Sequence, residues 1–304
     1  MRCLKCQEQA QVELRQHHAA YCRDHFLDFV GKQVQRSLEH YRMLSPGDSV
    51  TVAVSGGKDS LSLWDILNSL GYRTVGLHIQ LGIGDYSKQS LDKTLAFAQE
   101  RGLPLTVVSV EEEYGASIPV LARANRREAC AVCGLSKRYI MNRAALEAGT
   151  TVLATGHNLD DEVATLYGNV MHWQTGYLAR QAPVLPATHP KLVKKVKPLH
   201  LLTEREMASY AILRGIDYIV EECPNAKGAK SLLYKDAINL VEVESPGTKQ
   251  QFYQGFLERL RPLLKDGDEV QLRECERCGQ VTTAEECSFC RIWDRARLLL
   301  QRVP

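Results

Sequence analysis

Hydrophobic positions along the chain switch repeatedly between a short-range and a helical period. Val50, Val52 and Val54 alternate with small residues, then Leu61, Leu63, Trp64, Ile66, Leu67 and Leu70 recur at helical spacing. A short buried strand therefore gives way to a helix. The switch recurs downstream. Tyr72–Leu81 predicts a second strand, Ser87–Arg101 a helix, Leu105–Val110 a third strand, and Pro119–Ala124 and Ser136–Ala148 helices. Thr150–Thr155 predicts a fourth strand, with a helix following through Met171. Strands alternating with helices predict an α/β fold, a Rossmann-like, mostly parallel sheet flanked by helices. Ahead of it, Phe26, Phe29, Val30, Val34, Leu38 and Tyr41 predict an amphipathic connecting helix, and Ser45-Pro46-Gly47-Asp48 a turn. Residues 174–198, broken by Pro183, Pro186, Pro190 and Pro198, read as irregular; helices are predicted at Glu204–Arg214 and in a stretch ending at Glu258–Leu264.

Composition narrows the classes. With 304 residues and 44% hydrophobic content the chain can bury a core of about two domains. Lys plus Arg number 38 against 36 acidic residues, a net charge of +2, so any RNA contact must come from local basic patches. No apolar stretch reaches the ~20 residues of a membrane span, and MRCLKCQEQA has no apolar signal region; a cytoplasmic protein is expected.

The turn between the first strand and its helix is Ser55-Gly56-Gly57-Lys58-Asp59-Ser60. Glycines let the backbone approach a phosphate, the helix N-terminus offers free N–H groups and a positive dipole end, and Lys58 adds a charge. It is not a Walker A loop, since Val52 stands where that motif needs glycine. In a parallel sheet, ligands bind beyond the carboxyl ends of the strands. That rule brings the Ser55–Ser60 turn, the His78 region and the turn Gly156-His157-Asn158-Leu159-Asp160-Asp161 to one edge. At a helix start, one of Asp160 and Asp161 can hold Mg²⁺ or orient reacting groups while the other caps the helix.

Ten cysteines without a secretion signal read as metal ligands. Cys3, Cys6, Cys22 and His25 form a CxxC–CxxH set suited to structural Zn²⁺, with His17 and His18 as competing ligands; Cys275, Cys278, Cys287 and Cys290 form a second, all-thiolate set. Cys130 and Cys133, flanked by Arg126, Arg127, Lys137 and Arg138, and the isolated Cys223 fit either a dithiol with a resolving thiol or a 4Fe-4S cluster with one open iron, unless His157 completes a zinc site. The flanking cations are expected to lower the thiol pKa values. The resulting plan is an N-terminal zinc finger (1–26), a connecting helix (27–48), a nucleotide-binding domain (49–265) and a C-terminal zinc finger and helix (266–304). Lys191, Lys194, Lys195 and Lys197 form a basic run, either a solvated loop or a phosphate-backbone contact; Lys227, Lys230 and Lys235 form a second cluster. Arg291, Arg295, Arg297 and Arg302 follow the last cysteine on a helix.

The Ser-Gly-Gly-x-Asp-Ser turn resembles the PP-loop of the ATP pyrophosphatase (adenine nucleotide alpha hydrolase) superfamily. Together with the downstream CxxC, the later Cys223 and a zinc module at each end, the whole chain resembles the TtuA/Ncs6 group of tRNA 2-thiouridine synthetases, and most of all its branch acting on T-loop 5-methyluridine (tRNA position 54). The resemblance implies a tRNA sulfurtransferase that adenylates the uracil C2 oxygen with ATP and Mg²⁺ and replaces it by sulfur. It implies nucleotide binding by Ala53, Ser55, Gly56, Gly57, Lys58, Asp59, Ser60, Ile79, Gly156 and Asp161, with Asp161, Lys137 and Asp59 as the catalytic set. It further implies a 4Fe-4S cluster on Cys130, Cys133 and Cys223, two Zn²⁺ ions in the terminal modules, tRNA as partner, a ubiquitin-like sulfur carrier with a C-terminal thiocarboxylate as donor, and a homodimer. Thiolation of wobble uridine (position 34) by the same chemistry, thiolation of cytidine, and a non-catalytic zinc RNA-binding protein are the competing readings.

Overall fold

The computed structural model describes the chain except residues 46, 227, 229, 265–270 and 301–304, and except the side chains of 298–300. Pro46 of the predicted turn, Lys227 of the second basic cluster, Arg302 and the boundary at 265/266 lie outside the described residues. An antiparallel pair, β1 (Val12–Leu14) and β2 (Ala19–Tyr21), leads into α1 (Arg23–His40). There follow β3 (Ser49–Ala53), α2 (Lys58–Ser69), β4 (Arg73–Gln80), α3 (Gly84–Arg101), β5 (Leu105–Ser109), α4 (Val110–Tyr114), α5 (Ile118–Asn125), α6 (Ala129–Glu147) and β6 (Val152–Thr155). The chain continues through α7 (Leu159–Met171), α8 (Thr175–Arg180), β7 (Val184–Leu185), β8 (Lys194–Val196), α9 (Glu204–Leu213), α10 (Lys230–Glu244) and α11 (Thr248–Gly255). The last elements are β9 (Arg273–Glu274), β10 (Val281–Thr282) and α12 (Ser288–Leu300).

The central sheet has strand order β5-β4-β3-β6-β8-β7. All pairs are parallel except β7 on β8. The order reverses at β3, which is flanked by β4 on one side and β6 on the other. Both β3 and β6 end at this switch point, and a doubly wound sheet opens its ligand crevice there.

Alternation along β3 and the stripe on α2 have one cause. Val50, Val52, Leu63, Trp64 and Leu67 are buried together with residues of α1, α3 and α9. The Trp64 ring lies against Gly76 of β4, where an added Cβ would sit 2.4 Å from it, and its Nε1 donates to Thr74 Oγ1 at 3.0 Å. Beneath this layer Asp65 accepts from Arg101 (2.9 Å), Tyr210 (2.7 Å) and Arg214 (2.7 Å), tying α2, α3 and α9 through one carboxylate. The opposite face packs Leu77 and Val108 on α5, α6 and the C-terminal helix α12. Both cysteine modules therefore share cores with the sheet domain: Cys3, Leu14 and Tyr21 join the α1 side, and Cys275, Cys287 and Trp293 the α6 side.

Three local expectations differ. The irregular stretch contains α8 and two strands, and β8 extends the parallel sheet. Three residues between prolines carry too little periodicity to betray a strand, and β6 supplies the pairing that makes one. The basic run is accordingly not a free loop. Lys191 binds Glu274 and the Gly279 carbonyl, Lys194 the Arg42 carbonyl, and Lys197 Glu162. Helix α6 begins at Ala129, not at Ser136, so Cys130 and Cys133 lie in its first turns.

Candidate active site

The loop after β3 is held open by short polar contacts. Ser60 Oγ donates to the Gly57 carbonyl (3.0 Å) and accepts from the Ser55 amide (3.1 Å), while Ser90 Oγ of α3 donates to the Ser55 carbonyl (2.7 Å). Gly56 has φ of +73°, and a Cβ there would fall 2.5 Å from the Ser90 carbonyl oxygen. That turn requires glycine for both reasons. Gly57 is the N-cap of α2 and no side chain caps the helix, so its first-turn N–H groups can meet an anion. His78 is a strut under the loop: buried on β4, its Nδ1 donates to the Val54 carbonyl at 3.1 Å. Burial lowers its pKa to about 4, which keeps it neutral. Ala53, at the end of β3, packs with Ala145, Leu153 and Val193, and Ile79 packs on the α6 side with Leu77.

The second turn closes on the first backbone to backbone. A Cβ on Gly156 would lie 2.9 Å from the Ser60 amide nitrogen and 3.0 Å from the Asp59 carbonyl carbon. Asn158 and Asp161 form a reciprocal capping box on α7, and Asn158 Nδ2 donates to Asp59 Oδ1 at 3.3 Å. The two carboxylates at this helix start take different duties. Asp160, 5% exposed, accepts from Lys249 and from the Glu204 amide (2.8 Å), which anchors α9 and α11. Asp161, 30% exposed, pairs with Lys235 of α10 at 2.6 Å. The cap of α7 and the ion pair with Lys235 thus fall on the same residue, Asp161.

Glu204, the first residue of α9, spans the crevice. One carboxylate oxygen is 2.7 Å from Lys58 Nζ and the other 3.3 Å from Lys235 Nζ, while Lys58 also reaches Asp59 at 3.1 Å. Burial works against the charge of both lysines, but Asp59 and Glu204 at Lys58, and Asp161 and Glu204 at Lys235, outweigh it and raise both pKa values. Burial and the neighbouring Asp161 carboxylate raise Asp59 in spite of Lys58. Sequence reasoning placed Lys235 only in a basic cluster and gave Glu204 no site role. Their separation from the loop in the chain hides them, and the Thr203–Glu206 capping-box pattern signals a helix start without showing where it points.

Cys130 and Cys133 sit one turn apart at the start of α6, and Lys137 follows on the same face. Cys130 donates to the carbonyl of Asn225, next to the Cys223 segment. Cys133 lies within electrostatic reach of Cys223, Cys130 and Lys137, and Lys137 is also within reach of His157 in the second turn. The expected lowering of the thiol pKa does not hold at Cys133. Burial raises it, against the opposing pull of Lys137. The trio does not gather as the terminal sets do: among the described residues, only those two sets bring their ligand atoms within 4.8 Å of one another. Thiolates on separate irons of a cube stand farther apart than ligands of one ion, so three spread thiols fit a cluster better than a zinc ion.

The terminal sets have zinc-like spacing. Cys6 and Cys22 sulfurs are 3.7 Å apart, Cys278 and Cys287 3.7 Å, Cys275 and Cys290 4.0 Å, and His25 Nδ1 is 3.2 Å from the Cys22 sulfur. A tetrahedron with Zn–S bonds of about 2.3 Å has edges of about 3.8 Å. The structure brings His25 into the first set. His17 instead packs edge-on against Phe29.

The PP-loop domain family matches residues 30–229, and the family of 2-thiouridine synthetase TtuA N-terminal LIM domains matches residues 2–27. The chain is 59% identical to a tRNA-5-methyluridine(54) 2-sulfurtransferase of Thermus thermophilus, over 97% of this chain and 91% of that protein. A tRNA-5-methyluridine(54) 2-sulfurtransferase of Thermotoga maritima is 42% identical over the full length of both. Among solved structures, the U34-tRNA thiolase NcsA from Methanococcus maripaludis with its 4Fe-4S cluster superposes with a TM-score of 0.80 at 25% identity, covering 97% of this chain and 96% of that one. The glycine-built loop at the switch point, the cysteine sets and these full-length similarities agree: the chain belongs to the TtuA family of PP-loop tRNA 2-thiouridine synthetases.

Proposed function

We propose that this protein is a tRNA sulfurtransferase that uses ATP to convert 5-methyluridine 54 to 2-thio-5-methyluridine. The observation that carries the reading is the backbone contact of Gly156 with Ser60 and Asp59, which makes one site of two motifs a hundred residues apart in the chain. Named relatives at 59% and 42% identity favour position 54 over the wobble position; the wobble thiolase is similar at 25%.

Uracil O2 is a poor leaving group until adenylated. The Ser55–Ser60 loop binds the phosphates through Gly56, Gly57 and the α2 amides, and Lys58 offsets charge building on the departing pyrophosphate. Two cations, Lys58 and Lys235, face three anions, Asp59, Asp161 and Glu204, so the cluster is net −1. A polyphosphate is repelled by that balance unless a divalent cation accompanies it; Asp59 and Asp161 would hold that Mg²⁺. Cys130, Cys133 and Cys223 would hold a 4Fe-4S cluster, which supplies an open iron for a sulfur ligand. Lys137, one turn beyond Cys133, steadies the anionic sulfur nucleophile or the phosphate as AMP leaves. The terminal sets would each hold Zn²⁺ and stiffen the two flanks of the domain, in the four-part plan set out from the sequence. A ubiquitin-like thiocarboxylate donor, a homodimer and a cytoplasmic location complete the reading; no helix among the described residues is long and apolar enough to cross a membrane.

Nucleoside analysis of tRNA from a strain lacking the gene tests it. Loss of 2-thio-5-methyluridine, restored by the wild-type gene, is expected. Loss of wobble thiouridine with position 54 intact overturns the assignment, and unchanged tRNA nucleosides favour the non-catalytic reading.

A further inference from the structure

We propose that Lys235 is a phosphate-binding residue of the nucleotide site, a second cation brought to the loop by α10. The inference rests on the adenylating reading above. Lys235 Nζ and Lys58 Nζ flank the same carboxylate, Glu204, at 3.3 and 2.7 Å on its two oxygens. A group that seats one oxyanion between two ammonium ions has the geometry to seat a phosphate oxygen pair in its place, since both present paired anionic oxygens to N–H donors. Lys235 is also 2.6 Å from Asp161, which fixes its head beside the Gly156–Asp161 turn.

A lysine on an exposed helix ordinarily extends its head into water. Lys235 does the opposite. Its side chain is 19% exposed, the same as that of Lys58 in the loop. Packing of α10 does not demand this: no residue of the helix is buried, and Leu233, Leu240 and Val243 face solvent. The helix is seated by Tyr234, whose ring lies against Gly168 and whose hydroxyl meets His172 at 2.9 Å, and by Ile238, which packs against the cluster of Leu159, Val163 and Leu166. Ordering a long cationic side chain inward against its conformational entropy, beside carboxylates that keep it charged, serves the crevice and not the core. The neighbouring Lys230 is exposed and suits an RNA backbone; the inward head of Lys235 does not.

Full-length holoprotein with Lys235→Met and Lys235→Arg tests the assignment. Titration calorimetry with Mg²⁺ and a non-cleavable α,β-methylene ATP, with pyrophosphate and with adenosine, is set beside binding of a tRNA transcript over a salt series. Loss of one charge-assisted phosphate contact should weaken the ATP analogue and pyrophosphate about tenfold to a hundredfold in Lys235→Met. Lys235→Arg should recover most of that, and adenosine and tRNA affinities should stay within twofold. Equal loss for adenosine marks a structural role and overturns the proposal. So does unchanged pyrophosphate binding, or a flattened tRNA salt slope with nucleotide binding intact. A wild type that binds no ATP analogue overturns the adenylating reading, and this inference with it; wild-type binding with an unaffected Lys235→Met overturns the Lys235 assignment alone.

Discussion

Gly156→Ala probes the close approach of the two turns. The new Cβ would stand 2.9 Å from the Ser60 amide nitrogen, 3.0 Å from the Asp59 carbonyl carbon and 3.0 Å from Ser60 Cα. Optimal contact lies at about 3.5–4.0 Å, so roughly 0.5–1 Å of separation must be found. All three obstructing atoms are backbone at the start of α2, whose helix is packed tightly through Trp64, Leu63 and Leu67. No side chain can rotate away. Forced overpacking of this kind destabilises by about 1–3 kcal/mol, a thermal shift of roughly 2–5 °C for a chain of this size. Activity should suffer more. The shift separates the Asn158–Asp161 turn from the Ser55–Ser60 loop, and a displacement near 1 Å can cost on the order of a hundredfold in rate. ATP-dependent tRNA adenylation, followed by release of radiolabelled pyrophosphate, reads this directly, with differential scanning calorimetry beside it. Gly31→Ala in α1 is the control. Nothing lies within 4 Å of its added Cβ, and alanine in a helix interior should stabilise by about 1 kcal/mol. Wild-type adenylation and an unshifted melt in Gly156→Ala would show that the two turns are not mechanically joined, and the single-site argument would fail with it.

Asp161→Ala should abolish adenylation while shifting the melt by roughly 1 kcal/mol for the lost cap; retained pyrophosphate release would remove Asp161 from the chemistry. Asp65→Asn should destabilise by about 3–5 kcal/mol, because Arg101 and Arg214 keep their charges beside a neutral, buried amide. Those cations and Tyr210 overcome the burial of Asp65 and lower its pKa, so its contribution is complete above the unfolded carboxylate pKa of about 3.9 and is lost as pH falls through the lower folded value. The stability gap between wild type and Asp65→Asn should therefore be flat at neutral pH and close only below about pH 4; a gap that closes near neutrality contradicts the ion-pair account. Cys223→Ser, purified without oxygen, should lose iron and brown colour and keep its zinc by elemental analysis, whereas Cys278→Ser should lose zinc and keep iron. Equal iron in Cys223→Ser and wild type would sink the three-thiol site.

Much of the site was legible because its chemistry is local in the chain. Ser55–Ser60 states a strand-to-helix turn with glycine where the backbone must bend with positive φ, and the paired CxxC spacings state metal knuckles. That Asp161, expected at the site by resemblance, also caps α7 was not legible, because a capping box looks the same whichever way it faces. The short strands β7 and β8 escaped reading since so few residues carry no period, and the Lys191–Lys197 run looked free because its acceptors, Glu162, Glu274 and backbone carbonyls, lie far off in sequence.

The sequence by itself determined the α/β alternation, the phosphate-binding character of Val50–Ser60 and the metal-ligand pattern of the two terminal cysteine sets. These depend on periodicity, on backbone conformations open to glycine, and on ligand spacing within a few residues. Only the tertiary structure decided that Asp160 anchors helices while Asp161 faces the crevice, and that Glu204 and Lys235 close the loop; at the first cysteine set it gathers His25, the ligand the spacing already favoured, with Cys3, Cys6 and Cys22. Those outcomes turn on the direction a side chain takes once helices dock on the sheet. That direction is set by the packing of distant segments, and no local stretch of the chain encodes it.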